Sequence, residues 1–470
     1  MTPQKTLDEY MKKETQSTTK QQPVPHHEIL EFYRETEFQG TPLGEIPREW
    51  RIVRLREVAE IRGSKKIPGS IKRVAFIPME AIPDNGVFTG YEIRDVDEVK
   101  SYVYCEPGDI LLAKITPSFE NGKQGIVPED IPVKFALATT EVYPIKCNSV
   151  DKLFLFYLLK YPPIRNKLVS LMRGTTGRRR VPREALEDTL LPYPSIREQR
   201  GISQILSTID EAIEGVDESV ARLERLKRAL MRELLTGRVR VREENGKLVF
   251  YRETEFQETE IGKLPREWGI VKLEKIADII TGPFGSQLRK SELTNNGIKV
   301  YTQENVLNRN FEIGDLYISK EKFEELKIFE IKPNDILITI RGTIGKATVV
   351  PKHAKKGIIH TNLAIIRLKH GGILPEFIEL VFNESEILIK QVKSKHSTTT
   401  IPALYGKTLK QLKIMLPQLA EQRNIVVIYN SIHEAIEIYH KEKEKLERLK
   451  RGLMDLLLTG RVRMRVKPAS

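Results

Sequence analysis

Phe32-Tyr33-Arg34-Glu35-Thr36-Glu37-Phe38-Gln39 occurs twice: the same eight residues return unchanged from Phe250 to Gln257. Pro47-Arg48-Glu49-Trp50 returns as Pro265-Arg266-Glu267-Trp268 at the same offset, and Gly44, Val53, Leu55, Ala59 and Ile61 all find partners there. A second pair of blocks closes each half. Leu223–Arg228 (LERLKR) recurs as Leu446–Arg451, and Leu234–Arg240 (LLTGRVR) as Leu457–Arg463. Between these shared ends, residues 62–190 and 280–411 have little in common. Two equivalent scaffolds carrying two different inserts is the layout of a chain that reads two different things at a fixed separation.

The shared ends are helical. From Ser195 to Thr236, apolar residues fall at Ile202, Ile205, Ile209, Ile213, Val216, Val220, Leu223, Leu226, Leu230 and Leu234, in steps of three and four. That is the seam of a coiled coil. The matching positions of the second copy are Ile425, Ile428, Ile432, Ile436, Tyr439, Lys443, Leu446, Leu449, Leu453 and Leu457, with Lys443 the one polar member. Each helix is expected to run about 42 residues, or ~63 Å, and to stop at Gly237 or Gly460. An exposed stripe needs a partner, and each helix's obvious partner is its twin. Helix one delivers the chain to the second half, so helix two must run back along it. The pair is antiparallel about a pseudo-twofold axis, and the first FYRETEFQ copy should lie where helix two ends.

Outside the helices the pattern is mixed. Short β-rich runs (Ile52-Val53, Val74–Ile77, Ile110–Ala113, Glu141–Ile145) alternate with Gly, Pro and Asp turns. Pro107-Gly108-Asp109-Ile110-Leu111 has a counterpart in Pro333-Asn334-Asp335-Ile336-Leu337, and Val150–Leu159 and Glu376–Val392 read as helices. The expected fold class is α+β: two α+β domains joined by two long antiparallel coiled-coil helices. The boundaries follow as a flexible N-terminal arm (1–31), domain one (32–192), helix one (193–240), linker and domain two (241–416), helix two (417–463) and a tail (464–470).

At 470 residues, length alone suggests roughly three units. With 40% hydrophobic, 7% aromatic and 30% charged residues the chain reads as globular rather than disordered. No run approaches the ~18 apolar residues of a membrane span, and the Lys-, Gln- and Thr-rich start lacks the apolar stretch of a secretory signal. A cytoplasmic location is the default expectation. Cys105 and Cys147 alone cannot build a disulfide framework or a four-cysteine zinc site. The net charge of +13 suggests a polyanionic partner, usually nucleic acid; the plainer reading is a basic, soluble surface.

Each insert is closed by a Thr-rich loop and a Pro-x-x-x-Glu-Gln-Arg entry: Gly174-Thr175-Thr176-Gly177 with Pro194–Arg200, and Ser397–Pro402 with Pro417–Arg423. With Leu-Leu-Thr-Gly at 234–237 and 457–460, this order resembles the DNA-specificity subunit of type I restriction–modification systems over about residues 32–463. The resemblance implies a subunit without chemistry of its own and with no cofactor. It binds double-stranded DNA in a split target and recruits two adenine-N6 methyltransferase subunits, which use S-adenosylmethionine; restriction subunits can join that complex.

The residues agree that no catalytic site is present. The only Pro-Pro pair, in Tyr161-Pro162-Pro163-Ile164, lacks the amide and ring of an amino-methyltransferase loop. Gly342-Thr343-Ile344-Gly345-Lys346 has two residues between its glycines, not four, and Ala347 follows the lysine, so it is no Walker A loop. His353, His360 and His370 have no metal-ligand spacing.

DNA contact needs Lys and Arg for phosphates and directional side chains for base edges. The first reader offers Arg62, Lys65 and Lys66; then Lys114, Thr116 and Lys123; then Arg173, Thr175, Thr176, Arg178, Arg179 and Arg180 in the stretch RGTTGRRR. The plainer reading of that stretch is a solvated basic loop. The second reader offers Gln287, Arg289 and Lys290; Gln303 and Asn305, which suit adenine or cap a turn; Arg341, Thr343 and Lys346; and Lys395, His396, Ser397 and Thr399. Trp50 and Trp268 sit in the shared scaffold, which favours packing over base stacking. Arg225, Arg228, Arg448 and Arg451 of the duplicated helix block are candidates for docking two identical partners.

Differing inserts predict an asymmetric bipartite target whose spacer is fixed by the helices. A stand-alone bipartite DNA-binding regulator also accommodates the charge and two readers, but has no need of two duplicated helix tails. A coiled-coil scaffold that never touches DNA leaves the divergent basic loops unexplained.

Overall fold

The computed structural model describes residues 29–467 apart from 66, 176 and 396–402. These gather into two compact units rather than roughly three: residues 29–220 with 439–467 form the first, and residues 221–438 the second. Neither long helix makes a domain of its own. The first spans Ile196–Leu234 and the second Leu419–Leu458, 39 and 40 residues, and each is divided near its middle between the units.

Within the first unit, Ile202 and Leu206 of the first helix share a core with Met454, Leu457 and Leu458 of the second. Lys443 pairs with Asp217, and Lys450 with Asp210, so moving forward along one helix means moving backward along the other. In the second unit Met231 and Leu234 share a core with Ile425, Ile428 and Tyr429. The pairing is antiparallel in both. Every expected seam position is buried or half-buried except Leu449, 51% exposed. Burying one such aliphatic side chain contributes roughly 1.5–3 kcal/mol. Lys443 keeps its seam position by donating to both Asp217 oxygens, at 2.6 and 2.7 Å.

The first helix ends three residues before Gly237 and the second two residues before Gly460. Gly237 and Gly460 have φ of +68° and +70°, and a Cβ there would come within 2.3 Å of Pro265 or 2.4 Å of Pro47. The LLTG and PREW blocks therefore pack directly on each other. Beyond Gly237, strand Val239–Glu244 turns through Asn245 and Gly246, both at positive φ, into antiparallel strand Lys247–Arg252. The first unit builds the same ladder without the turn. There Val462–Lys467 pairs with Ile29–Arg34, Arg34 opposite Val462 as Arg252 is opposite Val239. The FYRETEFQ copy thus lies where helix two ends, as the symmetry required. The expected arm lies outside the described residues as far as 28, and residues 29–31 already belong to that strand; most of the expected tail belongs to its partner.

An ion cluster binds these blocks together. Arg463 donates to both oxygens of Glu198 (2.8 and 3.0 Å) and to Glu35 (2.7 Å), and lies 2.9 Å from Glu49; the Trp50 indole N–H donates to the same Glu198 at 3.1 Å. The second unit repeats it with Arg240 on Glu421 (2.8 and 2.9 Å), Glu253 (2.6 Å) and Glu267 (3.0 Å), and Trp268 on Glu421 (3.2 Å). Burial alone would depress both arginine pKa values, but the bonded carboxylates outweigh it and raise them. Both tryptophans are buried packing residues. The Glu-Gln-Arg entry is structural as well: Gln199 accepts from the Asp151 backbone N–H, and Gln422 from that of Leu374.

The unlike inserts share one topology. The first unit has an antiparallel sheet ordered Gln124–Ile126, Ile110–Ala113, Val142–Cys147, Ala59–Ile61; the second has Ala347–Val349, Ile336–Thr339, Leu363–Leu368, Ala277–Thr281. A second sheet accompanies it in each, four-stranded in the first unit and three-stranded in the second, with one parallel pairing: Arg73–Ile77 on Ala136–Ala138, and Ile298–Tyr301 on Gly357–Ile359. The runs Ile110–Ala113 and Ile336–Thr339 are buried throughout, so they are apolar without alternation up to Thr339, whose hydroxyl accepts from the Lys346 N–H. Lys152–Lys160 matches the helix expected there. The expected helix over Glu376–Val392 is two, Pro375–Glu384 and Glu386–Lys395, because Ser385 leaves helical geometry and its hydroxyl accepts from the Leu388 N–H. No described helix is long and apolar enough to cross a membrane.

Candidate nucleic-acid interface

In the first unit the loop from Lys114 to Lys123 joins Ala113 to Gln124 at one end of the sheet. The RGTTGRRR stretch folds back on itself, Arg173 and Arg180 exchanging backbone bonds of 2.9 and 2.8 Å, and lies against that loop: Thr116 N–H donates to the Arg179 carbonyl, Val181 N–H to that of Lys114. Six candidate cations thereby converge. Arg179 pairs with Glu120 at 2.6 Å, where the Thr116 hydroxyl also donates, and Arg180 lies 3.6 Å from Glu141. Lys114 is half-buried over the Tyr143 ring, and burial, then the charge of Arg180, holds its pKa below the usual lysine value. Crowded cations of this kind gain from an incoming anion. Arg173, Thr175 and Arg178 are exposed, and among the described residues no carboxylate pairs with Arg173, Arg178 or Lys123.

Arg62 and Lys65 do not join this group. Arg62 forms a two-pronged bond with buried Asp109 and pairs with Glu106 at 2.7 Å, while Lys65 donates to the Tyr104 hydroxyl at 3.3 Å. Arg62 is a scaffold residue, the equivalent of the Arg367–Asp335 pair that anchors the matching strand in the second unit. Lys66 and Thr176 lie outside the described residues.

In the second unit Thr281 pairs with Ala364, and Thr339 with Leu363, so the loops leaving them issue from one end of the sheet. Backbone bonds tie Gly282 to Leu363, Ile340 to Asn362, Leu404 to Ile340 and His360 to Tyr301. The Gln303 amide donates to the Arg341 and Thr343 carbonyls at 2.6 and 2.9 Å, which spends both its donors on holding the loop. Arg341, Thr343 and Lys346 are left exposed on that loop, and among the described residues Arg341 and Lys346 have no carboxylate partner. Arg289 and Lys290 are exposed on the loop that follows Thr281.

Asn305 is buried, not presented: its carbonyl accepts from Thr302 N–H and its amide donates to the Asn310 and Ile313 carbonyls. It caps a turn. Gln287 accepts from the Phe284 N–H at 2.8 Å. Lys395 closes the helix Glu386–Lys395, and His396, Ser397 and Thr399 lie outside the described residues. Sequence reasoning missed two exposed rings on this rim, Phe284 and Tyr405; an aromatic residue after Gly-Pro reads as core. The proposed docking arginines Arg225, Arg228, Arg448 and Arg451 are all exposed on the long helices.

A family model described as the type I restriction modification DNA specificity domain matches residues 47–225 and 265–448. The type I restriction enzyme MjaVIII specificity subunit of Methanocaldococcus jannaschii is 26% identical over 451 residues, 93% of this chain and 98% of that one. The EcoAI specificity subunit of Escherichia coli is 32% identical over 177 residues, 36% of this chain and 30% of its own. A chain solved in work on complex assembly and conformational transition of the type I R-M system superposes with a TM-score of 0.53 at 21% identity, covering 88% of this chain and 99% of that one. That likeness bears on the fold.

Proposed function

Because the chain belongs to the type I restriction–modification DNA specificity family, we propose that each of its two units reads one half of an asymmetric, bipartite DNA target through the loop rim at the end of its antiparallel sheet. As a specificity subunit it is the non-catalytic, sequence-reading member of its complex. The observation that carries the proposal is the pair of rims. Equivalent sheets present different side chains, with exposed arginines that have no carboxylate partner among the described residues in both. Unpaired guanidiniums suit phosphate oxygens and guanine edges, and unlike rims imply unlike half-sites.

The partners follow from the duplication. Two copies of LERLKR place Arg225 with Arg228, and Arg448 with Arg451, at equivalent helix positions, which suits two identical adenine-N6 methyltransferase subunits. Leu449, exposed beside Arg448, leaves apolar surface uncovered there. The continuous helices, which run through both units, set the spacer between half-sites. The acting complex is cytoplasmic, where the cell's DNA is accessible to it.

Mapping N6-methyladenine genome-wide, in cells expressing the neighbouring methyltransferase with and without this chain, tests the reading. A new split motif, methylated once in each half on opposite strands, supports it. No new methylation, with both proteins soluble and the methyltransferase binding its cofactor, rejects it.

A further inference from the structure

The second unit's rim carries an apolar group that neither charge nor hydrogen bonding explains. Phe284 is 67% exposed, while its neighbours Gly282 and Pro283 are buried. A phenyl ring in water on an otherwise polar loop has an unmet gain from burial. Its backbone is not loose. The Phe284 N–H is held by the Gln287 side chain at 2.8 Å, and its carbonyl accepts from Gln287 N–H at 2.8 Å and Leu288 N–H at 3.3 Å. Upstream, Gly282 donates to the Leu363 carbonyl, and a Cβ on it would sit 2.3 Å from the His360 carbonyl oxygen. Leu288, immediately after, is buried in the core of the smaller sheet. An exposed ring on a fixed backbone is already ordered, so little freedom is lost when it is covered.

What surrounds it identifies the occupant. The loop continues into Arg289 and Lys290, and the same end of the sheet presents Arg341 and Lys346. Cations around a rigid ring suit a ligand with an anionic backbone and flat apolar faces, which describes a nucleic acid. A phenyl group has no donor or acceptor and cannot read a base edge by directional bonds. Its available contribution is stacking, which requires a base step opened enough to admit it.

We propose that Phe284 stacks on a base at a partly opened step of the half-site read by the second unit. Among the described residues the RGTTGRRR stretch and the Lys114–Lys123 loop present no exposed ring, so the two half-sites are held by different physics: polar and cationic groups in one, and the same with an inserted ring in the other. Steps that unstack readily, pyrimidine followed by purine, fit this position. This rests on the DNA-reading assignment above and adds to it a specificity-determining residue.

The test uses the assembled methyltransferase complex and its mapped target, with 2-aminopurine substituted in turn through the second half-site. Wild-type complex should raise the fluorescence at one step other than the adenine to be methylated. Phe284→Ala should abolish that rise and weaken target binding about ten- to a hundredfold, with binding to unrelated DNA changed far less. Phe284→Trp should retain both. The signal from the extruded target adenine serves as control, as does Arg341→Ala. If wild type binds and methylates its target but no second step brightens, or Phe284→Ala leaves target affinity within twofold, the ring is not inserted while the DNA reading stands. If Phe284→Ala instead loses the methyltransferase on purification, the ring belongs to a protein contact and the proposal fails. Absence of target binding by wild type defeats the DNA reading itself.

Discussion

Replacing Arg463 with methionine removes the charge at the centre of the first unit's ion cluster while keeping most of the apolar stem. Three carboxylates lose a partner, but not equally. Glu49 is 77% exposed at its side chain and returns to water at little cost. Glu198 and Glu35, at 4% and 10%, remain in place with a buried charge unmatched. Breaking a buried pair by deleting one member costs about 3–5 kcal/mol. The penalty should fall where the chain is least constrained, because Val462–Lys467 and Ile29–Arg34 are joined by backbone bonds and this cluster but by no turn. Arg240→Met makes the same change in a ladder closed through Asn245-Gly246. Amide hydrogen exchange is the suitable assay, since a chain with two units need not unfold in one step. Arg463→Met should lower protection across 29–34 and 462–467 by roughly a hundred- to several-thousandfold. Arg240→Met should lower it less across 239–252, where the covalent turn keeps the strands together. If both ladders lose protection equally, or Arg463→Met costs less than tenfold, the cluster is not what holds the terminal strands.

Arg178→Ala and Arg341→Ala should each weaken DNA binding by about 1–3 kcal/mol if the guanidinium reads a base, or reduce the salt dependence of binding by about one phosphate if it does not, with thermal stability unchanged; a loss of melting temperature would place them in the scaffold with Arg62. Deleting one heptad from each long helix shortens each by ~10 Å, about three base pairs at ~3.4 Å per pair; the methylated motif should keep both half-sites and lose about three spacer positions, and an unchanged spacer would refute the ruler. Arg225→Glu with Arg448→Glu should weaken methyltransferase co-purification while circular dichroism is unaltered; normal co-purification counts against docking there. Glu35 is held below the usual carboxylate pKa by the Glu37 backbone N–H and then by Arg463; for Glu253 burial acts upward, but the Glu255 N–H and Arg240 prevail. A depressed folded value means stability that is present above the unfolded pKa near 4.3 and is lost as pH falls through the folded one. The urea midpoint should therefore drop in acid, and Glu35→Gln with Glu253→Gln should flatten that drop; an identical acid slope in the double variant excludes these groups.

What was legible in the chain was what a local pattern encodes. The seam from Ile202 to Leu234 follows from spacing alone, and the antiparallel direction follows from covalent order. The duplicated blocks were visible too, and symmetry put FYRETEFQ at the end of helix two, but not which side chains bind there: Glu35 and Arg463 are 428 positions apart, and no local feature marks them as partners. A clue existed, since Glu35, Glu49, Glu198 and Arg463 each recur inside a duplicated block. Charges preserved together between two copies are more economically explained by one another than by four separate tasks. In the readers the difficulty is sharper. Arg62 and Arg178 both stand in basic loops beside glycine, and composition cannot separate them; what does is Asp109, 47 positions from Arg62, which captures one guanidinium and leaves the other to solvent. Phe284 errs the opposite way, an apolar residue that hydropathy assigns to a core and that a side-chain bond from Gln287 helps to hold outward. Candidate interface residues are thus told apart by which interactions the fold leaves unmade. That is a property of the assembled loops, and it explains why two inserts with little common sequence can share a sheet order and still present different surfaces to a partner.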